Sequence, residues 1–129
     1  MRKYFVLFCL FCFLAALGFT SADLVFVSPA RLELKIREKE EKKASFSLVD
    51  LRLESDYGAG RIQGAVNIPL KKLRFLGEKM LGRSEDIYFY GYSSDDRAAV
   101  NAVILLVNKG FQHVFLLDGG VKEWKGKLE

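Results

Sequence analysis

Apolar and polar positions follow two different periods along the chain, and these periods divide it into alternating strands and helices. Short continuous apolar runs predict buried strands, whereas apolar residues three or four positions apart predict helices. Strands are predicted at residues 24–28, 46–52, 65–70, 86–91 and 113–120. Helical segments are predicted at residues 28–43, 70–81 and 94–110. Residues 54–64 are predicted to form a turn of helix broken by three glycines, and residues 119–129 a short helix and tail. Continuous apolar strands that alternate with helices are typical of a parallel sheet, so we expect a small doubly wound α/β domain with helices on both faces.

Residues that suit helix ends mark the boundaries of these helices. Ser28 is the expected N-cap of the first helix and Pro29 its first residue, because proline has no N–H to leave unbonded there. Either Asp95 or Asp96 is expected to cap the long helix, and Gly110 is expected to end it in a left-handed conformation.

Four glycines and the tryptophan have expected structural roles. Gly60, Gly64, Gly119 and Gly120 lie in predicted turns, where we expect positive φ angles or a close approach of neighbouring backbone. Trp124 is expected to pack the last helix against the sheet.

The first 22 residues differ from the rest of the chain, because a long apolar run follows a basic start. Two basic residues precede residues 4–19, which carry no charge, and small residues follow up to Ala22. This order is typical of a secretory signal peptide that is cleaved after Ala22. The alternative is an uncleaved membrane anchor, although the run is slightly short of the ~20 residues that span a bilayer. Either interpretation predicts an exported protein, periplasmic or secreted, whose domain occupies residues 23–129.

Cysteine content and charge exclude several classes of function. Cys9 and Cys12 both lie in the apolar leader, so residues 23–129 contain no cysteine. Disulfides, cysteine-based metal sites and thiol catalysis are therefore not expected there, and we predict neither a metal nor a cofactor. Without Arg2 and Lys3, eighteen basic residues face sixteen acidic ones, a balance that does not favour nucleic acid as a partner.

The carboxyl ends of the predicted strands are the expected place for a site, because open α/β sheets bind ligands there. In this sequence those ends lie at residues 50–52, 91–96 and 118–120. The second of them joins a buried strand to the longest helix.

Three stretches around these strand ends resemble motifs of one protein family. They are LVDLRLESDYGAGRIQGAVNIP at residues 48–69, IYFYG with RAA and NKGF at residues 87–111, and VFLLDGGVKEW at residues 114–124. In this order and at this spacing they resemble the rhodanese-like domain of thiosulfate sulfurtransferases, over residues 26–124. The resemblance implies that family's fold for the whole domain, in a single-domain exported member.

The resemblance also implies a particular chemistry for the loop after the central strand. In this family the strand delivers a cysteine into a cradle of backbone N–H groups, where the thiolate takes up sulfane sulfur as a persulfide. Aligned on YFY, the cysteine position is Gly91, which can neither attack nor carry sulfur. Ser93 and Ser94 offer hydroxyls, but a serine nucleophile needs an adjacent base. The one histidine, His113, is expected in an exposed turn at the other end of the long helix.

The predicted site is therefore the family's loop without its nucleophile, and no catalytic residue is predicted. The candidate ligand-binding residues are Gly91, Tyr92, Ser93, Ser94, Asp95, Asp96 and Arg97. Asp50 and Arg52 are supporting residues, since Asp50 ends a strand and can accept backbone N–H groups of a nearby loop. Arg97 stands six residues after Gly91, one more than the family's spacing between cysteine and arginine.

Two features of this loop have alternative interpretations. Asp95 and Asp96 either cap the helix, or make the loop select against anions and accept a cationic partner group. Tyr92 is expected to be exposed, either as a contact residue or as a surface aromatic without function.

Three functions are compatible with the sequence. The first is a binding module without sulfurtransferase activity, which takes a protein partner or a small anion at residues 91–97. The second is a sulfur carrier that completes its site with a partner's cysteine, and the third is a structural domain anchored at the membrane. None involves nucleic acid, and membrane contact is expected only through an uncleaved leader.

Overall fold

A computed structural model describes residues 25–129, and the predicted leader at residues 1–22 lies outside the described residues. The five strands, β1 to β5, cover Val25–Val27, Ser47–Asp50, Val66–Asn67, Ile87–Tyr90 and Val114–Leu117. The four α-helices, α1 to α4, cover Pro29–Glu40, Glu54–Ala59, Leu70–Met80 and Arg97–Asn108, and a 3₁₀ turn covers Val121–Glu123. Within residues 25–129 no helix is both long and apolar enough to cross a bilayer.

All five strands are parallel and form one sheet in the order β1-β5-β4-β2-β3, with β4 in the centre. Val25 pairs with Phe115, and Ile87 pairs with both Val114 and Ser47, so the strands begin at nearly the same level. Their carboxyl ends consequently meet at one edge. This edge brings together the segments that follow β2, β4 and β5.

Two apolar cores lie on opposite faces of the sheet. One packs α3 and α4 onto it and includes Leu73, Phe89 and Leu106. The other packs α1 onto it and includes Leu32 and Tyr90. Because successive strand residues point to opposite faces, Phe89 and Tyr90 of β4 belong to different cores. The predicted doubly wound parallel sheet with helices on both faces is confirmed.

The helix ends agree with the predicted capping residues. Ser28 Oγ accepts the Arg31 N–H at 3.2 Å and caps α1. Asp96, rather than Asp95, caps α4, and Gly110 after the end of that helix has a φ of 91°.

Two segments are shorter than the sequence predicts. The strand at residues 65–70 is reduced to Val66–Asn67, because Pro69, which has no N–H, is already the N-cap of α3. The last helix is a single 3₁₀ turn. Trp124 follows this turn, is half-buried and packs against the core on the α1 side of the sheet.

The expectation for Gly60 is wrong, whereas the other three turn glycines have the predicted backbone. The φ of Gly60 is 167°, which is extended backbone that any residue adopts, and an added Cβ would meet nothing within 4 Å. Gly64 and Gly119 both have a φ of 81°, and Gly120 has a φ of 61°.

Candidate functional site at the loop after the central strand

The loop between β4 and α4, residues 91–96, closes around the carboxylate of Asp96. Asp96 Oδ1 accepts the N–H groups of Ala98 and Ala99 at 3.0 and 3.4 Å, in the first turn of α4. Asp96 Oδ2 accepts the Tyr92 N–H at 3.0 Å. One carboxylate therefore takes three backbone N–H groups from the two sides of the loop, at a helix end that favours negative charge.

The same carboxylate fills the space beside Gly91 in which a side chain would lie. A Cβ added to Gly91 would be 2.1 Å from Asp96 Oδ2, 2.9 Å from Asp96 Cγ and 3.2 Å from Ala99 Cβ. The first of these distances is far inside the ~3.5 Å at which non-bonded heavy atoms make favourable contact. Any other residue at position 91, cysteine included, would have to displace Asp96.

The two neighbouring aspartates consequently differ in what they do. Asp96 caps α4 and holds the three N–H groups, so a small anion entering here would meet negative charge and three donors already in use. Asp95 is exposed and forms no ion pair with any residue in the described range. Asp96 therefore both caps α4 and places a negative charge inside the loop, whereas Asp95 does neither.

The loop is held from the side by the segment that follows β5. The N–H groups of Val121 and Lys122 donate to the carbonyl oxygens of Gly91 and Tyr92, both at 3.0 Å. Gly120 makes this contact possible, because a Cβ there would lie 2.8 Å from Gly91 O and closer still to the backbone of the next two loop residues. A residue with a side chain at position 120 would push the loop away from the 3₁₀ turn.

Tyr92 is 40% exposed but is also tied to the segment after β2. Its hydroxyl donates to Asp56 Oδ2 and accepts the Leu53 N–H at 3.3 Å. The hydrogen bond to Asp56 raises the pKa of Tyr92 above its ordinary value, and partial burial adds to the effect. Tyr92 thus links two loops at the same edge of the sheet, a role that neither sequence interpretation included.

The remaining candidates form the outer side of the loop. Ser94, Asp95 and Arg97 are exposed, and Ser93 is half-buried with its carbonyl oxygen accepting the Asp96 N–H at 3.2 Å. These side chains surround no metal, since within residues 25–129 no three His, Cys, Asp or Glu side chains are placed to hold one. None of these side chains takes part in the hydrogen bonds of the Asp96 carboxylate.

Asp50 and Arg52 form a buried ion pair beneath the loop. Asp50 is 0% exposed and Arg52 7% exposed. The guanidinium donates to Asp50 from Nη2 at 2.8 Å and from Nε at 3.1 Å, and the Arg52 N–H donates to Asp50 Oδ1 at 2.8 Å. Arg52 Nη2 also donates to the Gly60 carbonyl oxygen at 2.5 Å. Asp50 therefore accepts a backbone N–H as expected, from its own loop.

Tyr90 completes this buried pair and was missed by the sequence analysis. Its hydroxyl donates to Asp50 Oδ2 at 2.7 Å and accepts the Ile62 N–H at 3.1 Å. Burial, together with the hydrogen bond to Asp50, raises the pKa of Tyr90 well above its ordinary value. The hydroxyl therefore stays protonated at neutral pH. An aromatic residue in an apolar strand carries no sequence signal for such a contact.

Comparison with known proteins identifies the family. The sequence matches the family described as "Rhodanese-like domain" over residues 28–127. The thiosulfate sulfurtransferase GlpE of Shewanella oneidensis is 34% identical over 82 residues, which cover 62% of this chain and 76% of that protein. YrkF of Bacillus subtilis, described as a candidate sulfur carrier, is 27% identical over 93 residues, which cover 72% of this chain and 49% of YrkF.

A solved structure agrees with the sequence matches. The solution structure of the rhodanese-like domain of Alr3790 from Anabaena sp. has a TM-score of 0.69 and 32% identity to this chain. The similarity covers 81% of this chain and 77% of that one. With its five-stranded parallel sheet and the match over residues 28–127, the chain belongs to the rhodanese-like domain family.

Proposed function

We propose that this chain is a rhodanese-like domain that has no sulfur-transfer site of its own and acts by binding a partner protein at the outer side of residues 91–97. One observation carries the proposal: Asp96 Oδ2 lies 2.1 Å from the place of a Cβ at Gly91. The position at which the family has its cysteine thus holds a carboxylate that belongs to the chain. Residues 23–129 contain no cysteine to replace it.

A small anion is less favoured than a protein as the ligand of this loop. The N–H groups of Tyr92, Ala98 and Ala99 that could bind an anion already donate to Asp96. An anion would have to displace the Asp96 carboxylate from these N–H groups. The two negative charges would then lie close together and repel each other. A protein can instead bind the exposed side chains while the loop stays closed.

Sulfur transfer with the help of a partner's cysteine is the competing function. GlpE is a thiosulfate sulfurtransferase and YrkF a candidate sulfur carrier, so the relatives favour sulfur chemistry. Against this function, a partner's thiolate would have to enter the space that Asp96 occupies. The proposed binding module requires no such opening of the loop.

The proposal places the domain outside the cytoplasm, on the sequence of residues 1–22 alone. The basic start, the uncharged run at residues 4–19 and the small residues up to Ala22 support export to the periplasm or beyond the cell. Cleavage after Ala22 would release the domain, and retention of the run would anchor it.

The test is thiosulfate-to-cyanide sulfur transfer by the full chain in which Cys9 and Cys12 are replaced by serine. We expect no turnover from this parent protein and none from its Gly91→Cys variant, whose Cβ meets Asp96. The Gly91→Cys/Asp96→Ser variant should gain activity, because serine still caps the helix but leaves space for the thiol. Ser94→Cys/Asp96→Ser is the matched control and should stay silent. Turnover by the parent protein that survives dialysis would contradict the proposal.

Binding at the outer side of the loop needs a separate experiment. A photo-cross-linking residue at Ser94 in the native host should trap a defined partner, whereas the same residue at Leu34, exposed on the distant α1, should not. Arg97→Ala should weaken the Ser94 cross-link. Partner binding at this loop would be contradicted if positions 94 and 34 gave the same cross-linked products. It would also be contradicted if Arg97→Ala left the cross-link at position 94 unchanged.

A further inference from the structure

The outer side of α3 carries an aromatic side chain that the fold does not bury. Phe75 is 77% exposed. The two buried residues of α3 are Leu73 and Gly77, each two positions away. Since helix residues advance by about 100° each, Phe75 lies about 200° around the helix from both. It therefore points to the solvent, directly away from the core.

Lysines surround Phe75 on the same side of the helix. Lys71, Lys72 and Lys79 stand three or four positions from it, a spacing that places side chains next to one another. All three are exposed, and none forms an ion pair with a residue in the described range 25–129. We call Lys71, Lys72, Phe75 and Lys79 the α3 surface.

The single acidic residue of α3 does not neutralise this surface. Glu78 lies 3.7 Å from Arg83 and 3.5 Å from Lys109, so its charge is shared between two cations next to the helix. Arg74 adds a further positive charge to α3. The α3 surface is thus basic, with an aromatic ring at its centre.

An anionic lipid bilayer complements both properties of the α3 surface. Lysines reach the anionic headgroups while their methylene stems and the phenylalanine ring enter the interface. Each lysine near such a surface strengthens attachment about fivefold. A nucleic acid is favoured less, because the charges of this surface are few.

The α3 surface extends along the helix from one edge of the sheet to the other. β1 begins at Val25, and Val25–Phe115 is one residue pair beyond Ile87–Val114. Only six residues separate Met80, the last residue of α3, from Ile87. The last turn of α3 therefore lies at the edge where the strands begin, whereas its first residues follow β3 at the opposite edge.

We propose that the α3 surface binds an anionic lipid bilayer. Attachment through this surface does not depend on the function proposed for the loop. It adds a second membrane contact to the one predicted for the leader.

The test uses the full chain with Cys9→Ser and Cys12→Ser, reconstituted into vesicles with an environment-sensitive fluorophore on Met80→Cys, a half-exposed position beside the surface. In phosphatidylglycerol vesicles we expect a blue shift and quenching by lipid-borne quenchers, both absent in phosphatidylcholine vesicles. The same label at Leu34→Cys, on the other face of the sheet, should respond to neither. Replacement of Lys71, Lys72 and Lys79 by glutamine should abolish the response.

A matched control separates this surface from total charge. Lys122, Lys125 and Lys127 are exposed in the C-terminal segment, and their replacement by glutamine should leave the response intact. An equal loss in both triple variants, a response at residue 34 instead of residue 80, or no difference between the two lipids would overturn the proposal. The proposal would also be overturned if single-stranded RNA or polyglutamate, added to protein in uncharged vesicles, changed the fluorescence at residue 80 as much as anionic lipid does. Far-ultraviolet circular dichroism verifies that each variant is folded.

Discussion

The carboxylates of Asp50 and Asp96 follow neighbouring strands at one edge of the sheet and are held in different ways. Asp50 is fully buried and is paired with the Arg52 guanidinium at 2.8 Å and the Tyr90 hydroxyl at 2.7 Å. Asp96 is half-buried and accepts only backbone N–H groups. A carboxylate paired with a buried cation stabilises the fold, because removal of either charge leaves the other one buried without a partner. A carboxylate held by loop amides occupies a place that another group could take.

The largest expected effect is on stability when the buried pair is broken. Asp50→Ala leaves the Arg52 charge buried without a partner, so we expect the free energy of unfolding to fall by about 3–5 kcal/mol in chemical denaturation. Asp118→Ala, which removes an exposed carboxylate after β5, should change it by less than about 0.5 kcal/mol. Equal effects of Asp50→Ala and Asp118→Ala would mean that the buried ion pair contributes no more to stability than an exposed carboxylate does.

Gly91→Ala should destabilise the protein by about 1–3 kcal/mol, because the new Cβ overlaps Asp96 Oδ2. Asp96→Ser in the same chain should recover part of this loss, since the space is vacated while a cap remains. Denaturation of both single variants and the double variant gives the coupling. Gly58→Ala, where a Cβ meets nothing within 4 Å, is the control. Additive losses at positions 91 and 96 would mean that the two residues do not compete for space.

Tyr90→Phe should cost about 1–2 kcal/mol, since Asp50 loses a donor and the Ile62 N–H loses its acceptor. The variant should also change the alkaline limb of the stability curve. The pKa of Tyr90 is raised in the folded state above the ~10 of an unfolded chain, so its contribution is complete below pH ~10 and is lost as the pH rises further. Tyr90→Phe should therefore make the decline above pH ~10 shallower. Tyr57→Phe, which loses a hydrogen bond to Ala65 O, is the control for the loss of a tyrosine hydroxyl at neutral pH.

The smallest effect on stability is expected at Tyr92, whose hydroxyl donates to Asp56 at an exposed position. Tyr92→Phe should change the free energy of unfolding by no more than about 0.5 kcal/mol, because water can replace an exposed hydrogen-bond partner. Thermal unfolding of Tyr92→Phe and Asp56→Ala measures this. A loss as large as that of Tyr90→Phe would mean that the link between the two loops is part of the fold.

The fold follows from the sequence more fully than the site does. Continuous apolar strands between helices predict a parallel sheet, and Ser28, Asp96 and Gly110 mark helix ends through purely local geometry. Gly60 was misjudged because a glycine in a turn segment need not have a positive φ, and here its φ is 167°. Local patterns thus predict elements better than the backbone angles of individual loop residues.

The site depended on contacts that no local pattern contains. Asp95 and Asp96 are equivalent by residue type, and only the path of the loop brings the second one back beside Gly91. Tyr90 is one of several aromatic residues in its strand, and its contact with Asp50 exists because β4 lies beside β2. The missing cysteine was visible in the sequence, whereas the carboxylate in its place required the folded chain.

The most direct test of the filled loop follows the amide resonances of Tyr92, Ala98 and Ala99 in isotope-labelled chain during titration with thiosulfate. We predict no saturable shift in the native protein, since Asp96 holds all three N–H groups. The Asp96→Ser variant should show saturable shifts of the same resonances as the anion takes the vacated place. Saturable shifts in the native protein would contradict the account, because they would show that the loop binds an anion with Asp96 in position.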